Sequence, residues 1–149
     1  MSTIAYKDGI IARDSRRLDN GQIVSDKADK LYIMDNVYFF LCGCVCDYQF
    51  LIDAYFGKTL NKDIAIEAVA LVVDGLDLYE ANVFEGRITK VPLMKDEICA
   101  YGTGGNIALG AMESGKSAVE AVEIAKLRDS RTGGEVRTFT IHDDPVDVY

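Results

Sequence analysis

The sequence is poor in the groups that usually announce a chemistry. It holds one histidine, His142, no tryptophan, two prolines and no cluster of lysine and arginine. Its 16 basic residues stand against 24 acidic ones, a net charge of −8. That balance argues against nucleic acid or an anionic membrane surface as the main partner, since both need a basic footprint. No apolar run approaches the roughly 18 residues of a spanning helix. The opening Met1-Ser2-Thr3-Ile4-Ala5-Tyr6-Lys7-Asp8 lacks a signal peptide's basic flank and apolar centre. The expectation is a cytoplasmic protein with no membrane partner. The histidine count excludes the most. A hydroxyl nucleophile served by imidazole must use His142 or turn to another kind of base. His142, at the polar end of Thr138-Phe139-Thr140-Ile141-His142-Asp143-Asp144, reads as an exposed strand-end residue.

What is present suits one folded domain over residues 1–149. A chain of this size buries roughly 68–70% of the surface its unfolded form exposes, enough for a core without staples. Four cysteines occur, and Cys42, Cys44 and Cys46 alternate along the apolar run Tyr38-Phe39-Phe40-Leu41-Cys42-Gly43-Cys44-Val45-Cys46. On a strand that spacing sets all three on one face, where small buried thiols are common. Neither they nor Cys99 form the paired CxxC pattern of zinc sites, so they read as reduced core cysteines, with no metal and no cofactor.

Thr3-Ile4-Ala5-Tyr6 and Ile10-Ile11-Ala12 flank Lys7-Asp8-Gly9, a hairpin signal. With its turn centred on Asp8, residues 2 and 14 lie opposite each other. Ser15 to Ser25, with Asn20-Gly21, is a loop or a second hairpin. Lys30 to Ile33 and Val37 to Cys46 read as strands. From Asp47 apolar residues recur at helical spacing, with Gly57 as terminator. Residues 61–74 suit a short helix over Ile64–Ala68 or a buried strand over Ala70–Val73. Strands follow over Leu78–Phe84, Arg87–Pro92 and Glu97–Tyr101. Gly102-Thr103-Gly104-Gly105 opens a helix, Ser117 caps another that runs to about Leu127, and Glu135–Ile141 is a last strand. Clustered rather than alternating elements predict antiparallel sheets with segregated helices, an α+β arrangement in layers.

Tyr101-Gly102-Thr103-Gly104-Gly105-Asn106 matches neither the Walker pattern nor the dinucleotide fingerprint, and Gly115-Lys116-Ser117 lies between helices rather than after a strand. The chemistry is carried at the other end of the chain. Removal of Met1 ahead of a small residue leaves Ser2 with both a hydroxyl and a free α-amine. An α-amine has a reference pKa of about 7.7–8.0, so one residue supplies nucleophile and base without a histidine.

Four motifs then bear on kinship. These are Ser2-Thr3-Ile4 with Lys7-Asp8-Gly9-Ile10-Ile11-Ala12-Arg13-Asp14-Ser15-Arg16; Leu41-Cys42-Gly43-Cys44-Val45-Cys46-Asp47; Ala100-Tyr101-Gly102-Thr103-Gly104-Gly105; and Leu127-Arg128-Asp129-Ser130-Arg131-Thr132-Gly133-Gly134. In this order they resemble the proteasome β-subunit superfamily, including the HslV-type peptidases, within the N-terminal nucleophile hydrolases. The resemblance implies a four-layer αββα sandwich of two antiparallel sheets. The chain between Phe56 and Val72 has room for little of the family's long second central helix. It also implies a peptidase acting on polypeptide through an acyl-enzyme on Ser2, assembled as a homo-oligomer and fed by an ATPase unfoldase.

Residue by residue, the resemblance makes Ser2 the nucleophile, Asp14 and Lys30 its supporting ion pair, and Gly43 the donor of an N–H to the oxyanion. Thr103, Asp129 and Thr132 would orient the terminal amine, two of them with threonine where serine is commoner. Lys27 is a rival to Lys30. Thr3 is a rival to Ser2 that needs further processing and falls on the face away from Asp14 in the expected register. Serine lacks the methyl that restrains a threonine rotamer, and a retained Met1 would acylate the amine. A silent structural or assembly subunit, or a small-amide hydrolase of the same superfamily, are the other readings.

Overall fold

The computed structural model describes residues 2–141; Met1 and His142 onwards, and with them the strand-end reading of His142, lie outside the described residues. In chain order the elements are β1 (Ile4–Lys7), β2 (Ile10–Arg13), β3 (Arg17–Asp19), β4 (Gln22–Ser25), β5 (Leu31–Met34) and β6 (Val37–Gly43). A 3-10 turn (Val45–Asp47) leads into α1 (Tyr48–Tyr55), followed by β7 (Ala68–Asp74), β8 (Asp77–Phe84) and β9 (Arg87–Leu93). The chain ends with β10 (Cys99–Tyr101), α2 (Gly105–Glu113), α3 (Ala118–Arg128) and β11 (Arg137–Thr140). The described residues form two compact units, 2–29 with 95–141, and Lys30–Met94.

In the first unit the strands order as β10-β1-β2-β11, all antiparallel, with β3 and β4 forming the second hairpin. Ala5 and Ala12 from the sheet share a core with Ala108, Met112, Ala118, Ala121 and Val122 of the two later helices. Small side chains let these helices lie close on the sheet. Ser117 begins α3 with a capping box: its hydroxyl accepts from the Glu120 N–H at 3.1 Å, and the Glu120 carboxylate accepts from the Ser117 N–H at 3.0 Å.

The first hairpin corrects the expected register. Asp8 and Gly9 both have positive φ, 52° and 79°, so the turn is a two-residue one lying between them rather than centred on Asp8. Ile4 consequently pairs with Arg13. Carrying that ladder outward sets Thr3, not Ser2, opposite Asp14. The Asp14 N–H donates to the Thr3 carbonyl at 3.2 Å. A slip of one residue exchanges faces, so Thr3 shares the face of Asp14 instead of opposing it.

The second unit is a five-stranded antiparallel meander, β5-β6-β7-β8-β9. Leu51 and Ile52 of α1 pack on Phe39, Leu41, Ala70 and Val72 of the sheet. The ambiguous stretch after α1 resolves as strand from Ala68, where Ala70, Leu71 and Val72 are fully buried. No helix lies between Tyr55 and Ala68, so the short helix considered over Ile64–Ala68 does not form. The cysteine reading changes. Strand β6 stops at Gly43, whose φ is +112° and whose missing Cβ would collide with the Glu67 carbonyl. Beyond that corner the chain turns, leaving Cys42 buried, Cys44 half-buried and Cys46 exposed rather than together in a core.

Candidate active site

The head of β1 is held in the first unit by three loops. Asp14, fully buried at the end of β2, receives the Thr3 N–H at 3.1 Å, the Gly133 N–H at 3.0 Å and the Arg16 N–H at 3.3 Å. Three backbone donors are thereby satisfied on one carboxylate, which a buried polar cluster requires. The Ser15 N–H donates to the Gly133 carbonyl at 2.9 Å, and the Ser15 hydroxyl to that of Glu135. Arg16 lies across Gly133, where a Cβ would run into its guanidinium, and donates to the Ser130 carbonyl at 2.9 Å while pairing with Asp26 at 2.9 Å. The Asp14-Ser15-Arg16 and Gly133-Gly134 motifs are therefore two halves of one interlock. That role was hidden in the sequence because the halves are more than 100 positions apart.

On the other side runs the Gly102–Gly104 turn. The ladder from Ile4 with Tyr101 carries Thr3 against Gly102 and Ser2 against Thr103. Gly102 has φ +96°, and a Cβ there would overlap the Ser2 carbonyl oxygen; one at Gly104 would overlap the Thr3 hydroxyl. Glycine is needed at both because another backbone passes so close. The Gly104 N–H makes a long contact, 3.5 Å, to the Ser2 carbonyl.

A chain of hydroxyls ties these loops together. The Thr103 and Thr132 hydroxyls each donate to Asp129 Oδ2 at 2.6 Å, and the Arg131 N–H donates to Oδ1 at 3.2 Å. Thr3 and Thr132 oxygens lie 2.7 Å apart. Since the Thr132 proton is committed to the carboxylate, Thr3 donates to Thr132. Burial pushes the Asp129 carboxyl up, but the hydrogen bonds from Thr103, Thr132 and the Arg131 N–H together hold it below its usual value. The part played by Thr3 and Gly104 was not read from the sequence; in the correct hairpin register, Thr3 would have been apparent.

Ser2 is buried, at 1% exposure, as are Thr3 and Thr132, while Thr103 is exposed and Asp129 half-buried. The first unit thus gathers Ser2, Asp14, Thr103, Asp129 and Thr132. Lys30 and Gly43 belong to the second unit. Lys30 is 7% exposed, immediately before β5, with its carbonyl accepting from the Leu41 N–H at 3.2 Å; Lys27, its rival, is exposed. Gly43 forms the corner that ends β6. Among the described residues, no helix is long and apolar enough to cross a membrane.

No protein-family model matches the sequence, and no curated protein matches it. Solved structures do. Thiobacillus denitrificans BPH in complex with epoxomicin superposes with a TM-score of 0.68 at 19% identity, over 97% of this chain and 99% of that one. Another structure of T. denitrificans BPH gives 0.65 at 19% identity, over 97% and 98%. Eukaryotic HslV from Trypanosoma brucei gives 0.66 at 18% identity, over 93% and 97%. The chain shares its fold with BPH and HslV, an α+β arrangement of antiparallel sheets and helices.

Proposed function

We propose that this protein is an N-terminal nucleophile peptidase, cleaving polypeptides through an acyl-enzyme on Ser2 once Met1 is removed. The observation that carries the reading is the seat of Ser2: buried, its carbonyl against Gly102 and Gly104, and next in the chain to Thr3, whose hydroxyl bonds to Thr132 in the network around Asp129. A terminal amine freed there is oriented by groups that accept hydrogen bonds. Asp129, held below its usual pKa, is a ready acceptor at neutral pH.

In the proposed reaction the Ser2 hydroxyl attacks the scissile carbonyl carbon and its proton passes to the residue's own α-amine. On the resemblance, the resulting oxyanion is received by the Gly43 N–H, and the positive charge of Lys30, with Asp14 as its partner, stabilises the alkoxide side. As the C–N bond breaks, the ammonium returns that proton to the leaving amine. Water then attacks the ester, giving its proton to the α-amine, and the carboxylic product leaves with the Ser2 hydroxyl restored. The resemblance adds that residues 1–149 work as one domain, in a homo-oligomer fed by an ATPase unfoldase. With no helix between Tyr55 and Ala68, that proposed oligomer is one assembled without a long second helix.

The test joins intact mass with covalent labelling. Loss of Met1, a peptide-epoxyketone adduct mapped to residue 2, and loss of both adduct and peptide hydrolysis in Ser2→Ala are expected. Hydrolysis by protein that retains Met1 overturns the mechanism. An adduct on Thr3 moves the nucleophile by one residue, and retained Met1 with neither adduct nor hydrolysis identifies a silent subunit.

A further inference from the structure

The corner after β6 carries a second constellation, independent of Ser2. Along a strand, residues two apart are separated by about 6.6 Å. Here Cys44 is still extended, with φ −78° and ψ 121°, and the 3-10 turn that follows folds the chain back. The Cys44 and Cys46 sulfurs and an Asp47 carboxylate oxygen consequently all lie within 4.8 Å of one another. Cys46 Sγ is 3.8 Å from Asp47 Oδ1. Zinc bond lengths of about 2.3 Å to sulfur and about 2.1 Å to oxygen give a tetrahedral sulfur–oxygen edge of about 3.6 Å.

The backbone holding these groups is already fixed. The Cys44 N–H donates to the Glu67 carbonyl at 2.6 Å, and Asp47 Oδ2 accepts from the Glu67 N–H at 2.9 Å. One carboxylate oxygen is thus anchored while the other faces Cys46, the outer-shell arrangement that orients a metal ligand. Cys46 is exposed and Cys44 half-buried, so an ion has a path in, which the buried Cys42 lacks.

We propose that Cys44, Cys46 and Asp47 bind a thiophilic divalent cation of the Zn2+ class through two thiolates and one carboxylate oxygen. The fourth tetrahedral position is left to solvent or an exogenous ligand. Binding releases the thiol protons to solvent, and no electron is transferred.

The probe is Co2+ added to the full chain under a non-thiol reductant, with Zn2+ affinity measured by competition against a chromophoric chelator. One equivalent of Co2+ is expected to give thiolate-to-cobalt charge transfer with the visible bands of a tetrahedral ion. Cys44→Ser and Cys46→Ser are each expected to weaken Zn2+ by at least about 100-fold, and Asp47→Asn by about 10-fold. The side-chain amide introduced by Asp47→Asn keeps an oxygen for the Glu67 N–H, so this variant isolates the ligand charge. Cys99→Ser is expected to change nothing. Cys46 is exposed, so its variant reports on binding even if Cys44→Ser fails to fold. Absence of charge transfer, or its survival in Cys46→Ser, overturns the site.

Discussion

The two units keep different company in their interiors. Among the described residues, Ser2, Thr3, Arg13, Asp14, Ser15 and Thr132 are buried in the first unit, whereas Lys30 is the buried polar residue of the second. The first unit's helix–sheet core is largely alanine, and the second's is built on Phe39, Leu41, Leu51, Ile52 and Val72. Burying a polar group costs a few kcal/mol unless it is hydrogen-bonded. Large apolar side chains stabilise by roughly 1.5–3 kcal/mol each. Large apolar side chains are buried in both units, Ile4, Tyr6 and Ile11 in the first among them; the first differs in also holding its loops by directional hydrogen bonds. A site that must fix a terminal residue by its amide and hydroxyl groups suits the first.

The sharpest way to break this contrast is to remove volume. Phe39 is fully buried and meets Tyr55 edge-on at 5.1 Å between ring centroids. Phe39→Ala is expected to cost about 3–5 kcal/mol in urea denaturation. Ala121→Gly, in the first unit's core, is expected to cost only about 1 kcal/mol, mainly as helix propensity. Equal losses would erase the distinction. Polar deletion should act the other way round. Asp14→Asn presents an amide N–H to backbone donors that now meet oxygen, and is expected to cost roughly 1–3 kcal/mol. Its companion prediction is a fall in peptide hydrolysis larger than the stability loss explains, read from kcat at a temperature where the variant is folded. Ser117→Ala, which removes a cap remote from that carboxylate, is expected to cost about 1 kcal/mol and leave hydrolysis unchanged.

Local signals and long-range ones fared differently in the sequence. The Asp8-Gly9 and Asn20-Gly21 turns, the Ser117 cap and the strand Leu78–Phe84 were all legible, because each depends on a few adjacent residues. The α+β class followed from their order. The hairpin register did not: a turn centred on Asp8 and one between Asp8 and Gly9 differ by half a step, yet they exchange the faces of Ser2 and Thr3. Nor did the cysteine face, since the strand ends at Gly43 where Glu67, distant in sequence, packs against its backbone. Thr103, Asp129 and Thr132 were proposed through resemblance, and a shared hydrogen-bond network brings them together. Composition alone could not have linked them.

The smallest expected effect tests that network directly. Asp129 is half-buried, and burial by itself would raise its pKa; the Thr103 and Thr132 hydroxyls and the Arg131 N–H reverse the direction. In the unfolded chain an aspartate titrates near pH 3.9. The folded group keeps its charge to lower pH, so the unfolded state takes up the proton first and stability falls with falling pH. The contribution is complete above the unfolded value and is lost as pH drops through the folded one. Solvent screening at a half-exposed carboxylate keeps it small. Carboxyl carbon titration by NMR should therefore place Asp129 below the ordinary range, and Thr103→Val should move it upward. The urea midpoint of Asp129→Asn should vary less than that of the parent chain as pH falls from about 5 through the unfolded value near 3.9. An Asp129 titration indifferent to Thr103→Val would mean that the hydroxyl does not donate to it. The alignment proposed for the terminal amine would then rest on Asp129 held by Thr132 and the Arg131 N–H.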